Sequence, residues 1–331
     1  MSMNIYVTHR IHEAGLKIVQ AHCGAYDMNP DERRLSQEEL IEHVRGRDGV
    51  LCILNNRIDV VVLDAAGPQC KVFANYGSGV GNIDVAAATQ RGVAITHTPL
   101  EAVPGYNEAT ADHAWALLFS VARRIAEADR FMRSGQWTGW GPMQFLGADV
   151  TGRTLGVVGA GQIGTLVAMR SRGFDMNVLY FDKVPNPTLE KHLGARRVEL
   201  NELLAESDFV TIHVKLLPET THLINAESFQ RMKDTAILVN AARGPIVDEK
   251  ALLEALQKGE IAGAGMDVYE NEPRFEPGLG KLDNVVMTPH LGVATHGARS
   301  RMAELAARDL VAVLKGERPE HCVNPEVIKK Q

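Results

Sequence analysis

The 331 residues, 45% apolar and 23% charged, are enough for two hydrophobic cores of ordinary globular composition and exclude a small cross-linked scaffold. Thirty-five Lys and Arg against 41 Asp and Glu leave a net charge of -6, so no basic field exists to neutralise nucleic-acid phosphates, and a nucleic-acid partner is not expected. The four cysteines (Cys23, Cys52, Cys70 and Cys322) are scattered, with no C-x-x-C pair and no histidines at zinc-ligand spacing, so neither disulfides nor a metal site are expected.

The chain opens on a strand-like Ile5–Thr8 with no charged leader before it, and its most apolar run, Ala114 to Ala122, is less than half the roughly 20 residues a bilayer demands. A cytoplasmic protein without a membrane segment is expected. Short β-rich runs at Ile5–Thr8, Val50–Leu54, Lys71–Asn75 and Val93–Thr96 alternate with helix-like segments, the rhythm of a parallel α/β sheet. Glu108 to Arg124 is Ala- and Leu-rich and apolar on nearly all faces, which predicts a helix buried between domains or subunits. After a Gly- and Trp-rich loop at Gly135–Pro142 a second rhythm begins, with strands predicted at Leu155–Val158, Asn177–Tyr180, Phe209–Val214, Ala236–Asn240, Gly263–Asp267 and Asn284–Met287. Six such strands match a doubly wound dinucleotide-binding domain. The last helical stretch, from about His290 to Leu314, is too short to fold alone and should return to the first domain. The fold class is therefore α/β, with two doubly wound parallel-sheet domains: a Rossmann domain at 101–287 inserted in a discontinuous flavodoxin-like substrate domain of 1–100 and 288–331.

Gly159-Ala160-Gly161-Gln162-Ile163-Gly164 satisfies G-x-G-x-x-G between a predicted strand and a helix, an arrangement in which helix N-terminal amides face a pyrophosphate and the glycines permit its approach. The following strand ends at Asp182. A carboxylate there accepts both ribose hydroxyls and repels a 2′-phosphate, which predicts NAD as cofactor, with NADH preferred over NADPH; the adjacent Lys183 works against that preference.

Arg243, Glu272 and His290 each lie just past the carboxyl end of a predicted strand, where doubly wound sheets place ligands. Together they meet the needs of hydride transfer to an α-keto acid. A histidine can protonate the keto oxygen near neutral pH, and a carboxylate on its other ring nitrogen favours the charged form. A guanidinium can fork onto the substrate carboxylate and polarise the carbonyl.

The chain resembles the D-isomer-specific 2-hydroxyacid dehydrogenase family, and within it the glyoxylate/hydroxypyruvate reductases. The resemblance runs over roughly residues 45 to 325 and rests on Asn75–Asp84, Gly159–Gly164, Ser207–Val210 through Pro218–Thr220, Asn240–Asp248, Gly265–Pro273 and Thr288–Gly292. It implies that Arg243, Glu272 and His290 are the catalytic trio and that amides near Ser78 and Gly79 hold the substrate carboxylate. By the same resemblance Thr110, Gln162, Ile163, Val214, Thr220, Ala241 and Asp267 line the cofactor, Asp267 near the nicotinamide carboxamide. For Thr110 the alternative is a hydroxyl bonded to the preceding helical turn. Trp140 of the Trp140-Gly141-Pro142 segment is implied to enter the neighbouring subunit's active site in a homodimer; alternatively it packs in its own hinge. Leu54 is either a wall of the substrate pocket or a core residue.

Three positions depart from the family pattern: Lys215 stands where Pro is usual, Val293 where Ser is usual, and Gly77–Gly81 carries extra glycine. The leading function is reduction of a small 2-ketoacid. The alternative on the same fold is an NAD-sensing interaction protein resembling the family's corepressors, against which the lack of a docking tail counts.

Overall fold

The computed structural model describes residues 3–99 and 102–328. The chain divides into two compact units, 1–106 with 294–331, and 107–293. In the first unit, strands β1 (Ile5–Val7), β2 (Tyr26–Met28), β3 (Gly49–Ile53), β4 (Val72–Tyr76) and β5 (Ala94–Thr96) form a parallel sheet in the order β2-β1-β3-β4-β5. That is the flavodoxin-like order. Helices α1 (Glu13–Cys23), α2 (Gln37–Val44), α3 (Val60–Ala66) and α4 (Val85–Gln90) connect the strands. Local chemistry sets their starts: Ser36 and Glu39 close a capping box on α2, and the Asp59 carboxylate accepts the Val61 and Val62 amides at the head of α3. Strand β2, which the hydrophobic pattern does not announce, is three residues long, partly exposed, and lies at the sheet edge.

The second unit contains α5 (Tyr106–Ala122, its first residue counted with the first unit), α6 (Ile125–Arg133), and a seven-stranded parallel sheet. Its strands β6 (Thr154–Val158), β7 (Asn177–Phe181), β8 (Arg196–Arg197), β9 (Phe209–Ile212), β10 (Ile237–Asn240), β11 (Gly263–Met266) and β12 (Val285–Met287) run in the order β12-β11-β10-β9-β6-β7-β8. The order reverses beside β6, the strand that feeds the glycine turn. Helices α7 (Gln162–Arg170), α8 (Pro187–Leu193), α9 (Leu200–Glu206), α10 (Ala226–Arg231) and α11 (Glu249–Lys258) cover the sheet. Alternation along the strands splits the core in two: Leu155, Val157, Ile237 and Val239 face one layer, Val158 and Leu238 the other. Strand β8, two exposed arginines, carries no apolar signal and lies outside the six strands expected.

Helix α5 is buried, but as part of its own unit's core. Ala114, Trp115, Leu117 and Leu118 pack among Leu155, Phe209 and Val239. Glycines on β11 admit the helix, since a Cβ at Gly265 would stand 3.0 Å from the Leu117 Cβ and one at Gly263 2.7 Å from a Val121 methyl. The expectation that α5 is buried between domains or subunits is therefore corrected: the sheet of its own unit supplies its apolar surroundings. Helix α6 has no buried residue, and the segment after it exposes Trp137, Trp140, Met143 and Leu146.

After the second unit the chain returns to the first as α12 (His296–Leu314), capped by Thr295 and packed on α1, where a Cβ at Gly15 would come within 2.5 Å of the Ala303 carbonyl oxygen. The unit boundaries fall at 106/107 and 293/294, each six residues past the expected 100/101 and 287/288. Hydrogen bonds explain both shifts. An Arg301 guanidinium N–H donates to the Pro104 carbonyl and keeps that segment with the first unit, while Leu291 and Gly292 donate their amides to Asp267 and stay with the second. The last helix accordingly begins at His296, not near His290.

Candidate active site

The glycine turn is built by sterics. Gly159 has φ +98°, and a Cβ there would lie 2.7 Å from the Val214 nitrogen, so only glycine lets the turn close against β9's continuation. A Cβ at Gly164 would lie 1.9 Å from the Gly159 oxygen, which fixes how closely α7 follows the turn. Around Gly161, the N-cap of α7, nothing stands within 4 Å of the same position, which leaves room for a phosphate to approach the helix N-terminus. Asp182, just past β7, accepts the Ala160 amide at 2.8 Å and so ties its carboxylate to the turn. Gln162 accepts a hydrogen bond from Asn107 at 2.9 Å, and Ile163 packs partly buried against the core. The Thr220 hydroxyl accepts the Leu217 amide and donates to the Lys215 carbonyl at 2.7 Å. Because that bond uses a carbonyl, which proline also has, the Lys-for-Pro departure at 215 leaves the turn intact. Ala241 lies buried just past β10. His213 beside Val214 is half-buried, and its desolvation pushes the imidazole down to about 3 and keeps it neutral, with Nε2 2.8 Å from the Thr211 hydroxyl.

Arg243, Glu272 and His290 all belong to the second unit. The Nδ1 atom of His290 lies 3.0 Å from Glu272 Oε2, while Glu272 Oε1 accepts the Tyr269 amide at 3.1 Å. Burial pushes the Glu272 carboxyl up, but the hydrogen bond and charge of His290, the Tyr269 amide and the Arg243 guanidinium outweigh it and leave it below the ordinary carboxylate range. Arg243 is exposed and projects from a turn that Asn240 locks: the Asn240 amide nitrogen donates to the Arg243 carbonyl and its oxygen accepts the Ala242 amide, both at 3.0 Å. Gly244 brings that turn to the Glu272 loop, because a Cβ there would sit 1.9 Å from the Tyr269 carbonyl carbon.

His290 adopts φ +58°, the left-handed region that few non-glycine residues enter, and its amide donates to the Asp267 carbonyl at 2.9 Å. The buried Asp267 carboxylate then organises the rest of the loop. Its Oδ1 accepts the Leu291 amide, the Thr288 hydroxyl and His113 Nε2, and its Oδ2 accepts the Gly292 amide. Thr110 is buried, and its side chain lies beside Gly292. Val293, in place of the family's usual Ser, is buried. Sequence reasoning missed His113 and Glu249. The first is one polar residue in an apolar helix, a signal that was available; the second holds the Glu270 and Glu276 amides and becomes visible only once β11's loop is folded over α11.

In the first unit, Leu54 leans on the loop after β4, where a Cβ at Gly77 would meet its side chain at 2.5 Å, yet it remains over a third exposed. It is thus a surface-facing wall of that loop and no core residue. Ser78 and Gly79 lie in the same loop, with open space around Gly79. Trp140 is 84% exposed and belongs to the second unit. Among the described residues no cluster of His, Cys, Asp or Glu could hold a metal, and no helix is long and apolar enough to cross a membrane.

A parallel sheet of this order, a glycine turn open at Gly161 and a carboxylate at the end of the next strand fit a dinucleotide; a His–carboxylate pair beside an arginine fits a carbonyl under reduction. Residues 115–292 match the NAD-binding domain of the D-isomer specific 2-hydroxyacid dehydrogenases, and the chain belongs to that family. It is an oxidoreductase that uses a nicotinamide cofactor. It is 49% identical to a glyoxylate reductase of Thermococcus onnurineus, over 99% of this chain and 98% of that one, and 48% identical to a glyoxylate reductase of Korarchaeum cryptofilum with the same coverage. Among solved structures, a protein from Thermus thermophilus is 41% identical at a TM-score of 0.85, covering 97% of this chain and 100% of that one. An NADPH-dependent glyoxylate/hydroxypyruvate reductase from Sinorhizobium meliloti, solved with NADP and malonate, is 28% identical at 0.79, covering 100% of this chain and 99% of that one.

Proposed function

We propose that this enzyme reduces glyoxylate or hydroxypyruvate with NADH. The observation that carries the reading is the 3.0 Å contact between His290 and Glu272, which with the Tyr269 amide and the Arg243 charge holds the Glu272 carboxyl below the ordinary range. A bound dihydronicotinamide supplies the hydride to the keto carbon. His290 gives its proton from Nε2 to the keto oxygen as negative charge develops there, while Glu272 on Nδ1 fixes its orientation. Arg243 binds the carboxylate and polarises the carbonyl; the family resemblance supports the amides of Ser78 and Gly79 as carboxylate ligands. Gly159, Gly161 and Gly164 with Gln162 and Ile163 frame the pyrophosphate and Asp182 the adenosine ribose; Thr110, Val214, Thr220 and Ala241 line the cofactor elsewhere, with Asp267 near the nicotinamide carboxamide. Asp182 supports NADH over NADPH by its charge, since a 2′-phosphate there meets a carboxylate.

The glyoxylate reductases at 48–49% identity support the substrate class and disfavour the NAD-sensing alternative. The enzyme is further proposed to be a cytoplasmic homodimer in which Trp140 reaches the neighbouring subunit's site; the exposure of that side chain supports this. The test follows loss of dihydronicotinamide absorbance with glyoxylate, hydroxypyruvate, pyruvate and phenylpyruvate, each with NADH and with NADPH. Turnover concentrated on the two small polar substrates with NADH is expected. No turnover of either of those two would overturn the substrate assignment, and equal use of NADPH the role of Asp182.

A further inference from the structure

We propose that His97 and Asn75 are positioning residues for the carboxylate-binding loop, each holding one peptide of Gly77–Gly81 with its carbonyl turned inward and its N–H turned out. The proposal rests on the reading that this loop receives the substrate carboxylate. Four successive carbonyls of the loop are bonded back into the first unit. Gly77 O accepts the Thr98 amide at 3.0 Å, Ser78 O lies 2.9 Å from His97 Nδ1, Gly79 O accepts the Asn75 side-chain amide at 2.8 Å, and Val80 O accepts the Ile83 amide at 3.0 Å. In a trans peptide the N–H points opposite to the C=O, so the amides of Ser78, Gly79, Val80 and Gly81 are turned away from those donors. Among the described residues none of these four amides has an acceptor. Open space around Gly79 and Gly81 leaves them approachable by an anion.

Two of the four anchors are backbone groups that any sequence supplies; the other two are side chains, and they fix the central peptides. Asn75 is wholly buried and itself held, donating to Asn82 Oδ1 at 3.2 Å and accepting from Asn82 at 3.3 Å, while Asn82 also donates to the Asn56 carbonyl at 2.9 Å. It therefore cannot turn its amide away without breaking a buried network. His97 faces a carbonyl through Nδ1, so that nitrogen carries the hydrogen. Its peptide orients the Gly79 amide; the Asn75 bond orients that of Val80.

His97→Ala removes one anchor, and Asn75→Ala the other; His97→Asn places an amide N–H near the position of Nδ1 and serves as the conservative variant. For His97→Ala the KM for glyoxylate should rise about tenfold, with NADH affinity unchanged because the glycine turn lies in the other unit, and His97→Asn should restore most of the loss. Titration with oxalate, an unreactive carboxylate, reads the loop without turnover and should weaken in parallel. An unaltered glyoxylate KM and oxalate affinity in folded His97→Ala, or a loss that His97→Asn does not restore, overturns the proposal whatever becomes of Asn75→Ala. If the wild type reduces no ketoacid, the proposed reaction fails on its own; the oxalate titration still decides the loop, where equal affinity for wild type and His97→Ala, or none for the wild type, counts against it.

Discussion

Asp267 holds the His290 loop where no helix or strand does. Four donors converge on its carboxylate, three of them from residues 288 to 292, and its carbonyl takes the amide of His290 itself. Burial alone pushes the carboxyl up, but the bonds from His113, Thr288 and Leu291 reverse the shift and hold it below the ordinary range. A group whose folded pKa is depressed contributes stability that is fully present above its unfolded value, about 3.9 for Asp, and is lost as pH falls through the lower folded value. Asp267→Asn keeps the shape but turns an amide N–H toward a donor, so it should cost about 1–3 kcal/mol near neutrality, and the gap to wild type should close below about pH 4. Urea midpoints measured across that range test it. A gap that persists unchanged into acid would mean that the carboxylate's charge is not what the loop uses. In the same variant kcat should fall on the order of 100-fold, because Thr288, Leu291 and Gly292, which flank His290, lose the carboxylate bonds that hold its loop.

Two loops of the second unit meet through Gly244, and there one methyl group decides the geometry. The turn carrying Arg243 lies against the Tyr269–Glu270 backbone so closely that Gly244→Ala must separate the Arg243 turn from the loop bearing Glu272. We expect kcat/KM for the ketoacid to drop roughly 100-fold, while NADH still binds at the Gly159–Gly164 turn, which Gly244 does not touch. Ketoacid kinetics set beside NADH fluorescence titration would show this, and parallel losses in both would refute it. The same pair of loops shows what a sequence can carry. Strands such as Val72–Tyr76 and Phe209–Ile212 are legible because continuous apolar runs between helical segments have few other uses. Arg243, Glu272 and His290 stand out because each polar residue closes such a run. Strands β2 and β8 escape, being two or three residues long with side chains that make no core. The Glu249 and His113 bonds escape for another reason: they join residues from different elements, and only the folded register decides which donor meets which acceptor.

At the scale of the molecule, six of the fourteen large apolar side chains left exposed among the described residues fall in one segment. Ile125 and Met132 on α6, then Trp137, Trp140, Met143 and Leu146 in the segment after it, fall within 22 consecutive residues, and α6 buries nothing. Helix α5, whose all-round apolar pattern first suggested a subunit contact, is accounted for by its own sheet, so the argument for assembly passes to this segment. Isolated exposed hydrophobes are ordinary on a monomer; a cluster with Trp140 at 84% and Met143 at 76% exposure marks an interaction surface. A second copy is the simplest partner, since isologous pairing brings the same segment from both chains to one interface, which for a stable dimer requires about 800 Å² per partner. Light scattering on the purified chain should therefore give twice the monomer mass. Met132→Glu with Met143→Glu places like charges into that interface and should shift the population to monomers without lowering the thermal midpoint of the isolated fold, because neither side chain is buried within its own chain. A wild type that scatters as a monomer at micromolar concentration would remove the dimer, and with it the role given to Trp140 in a neighbouring site.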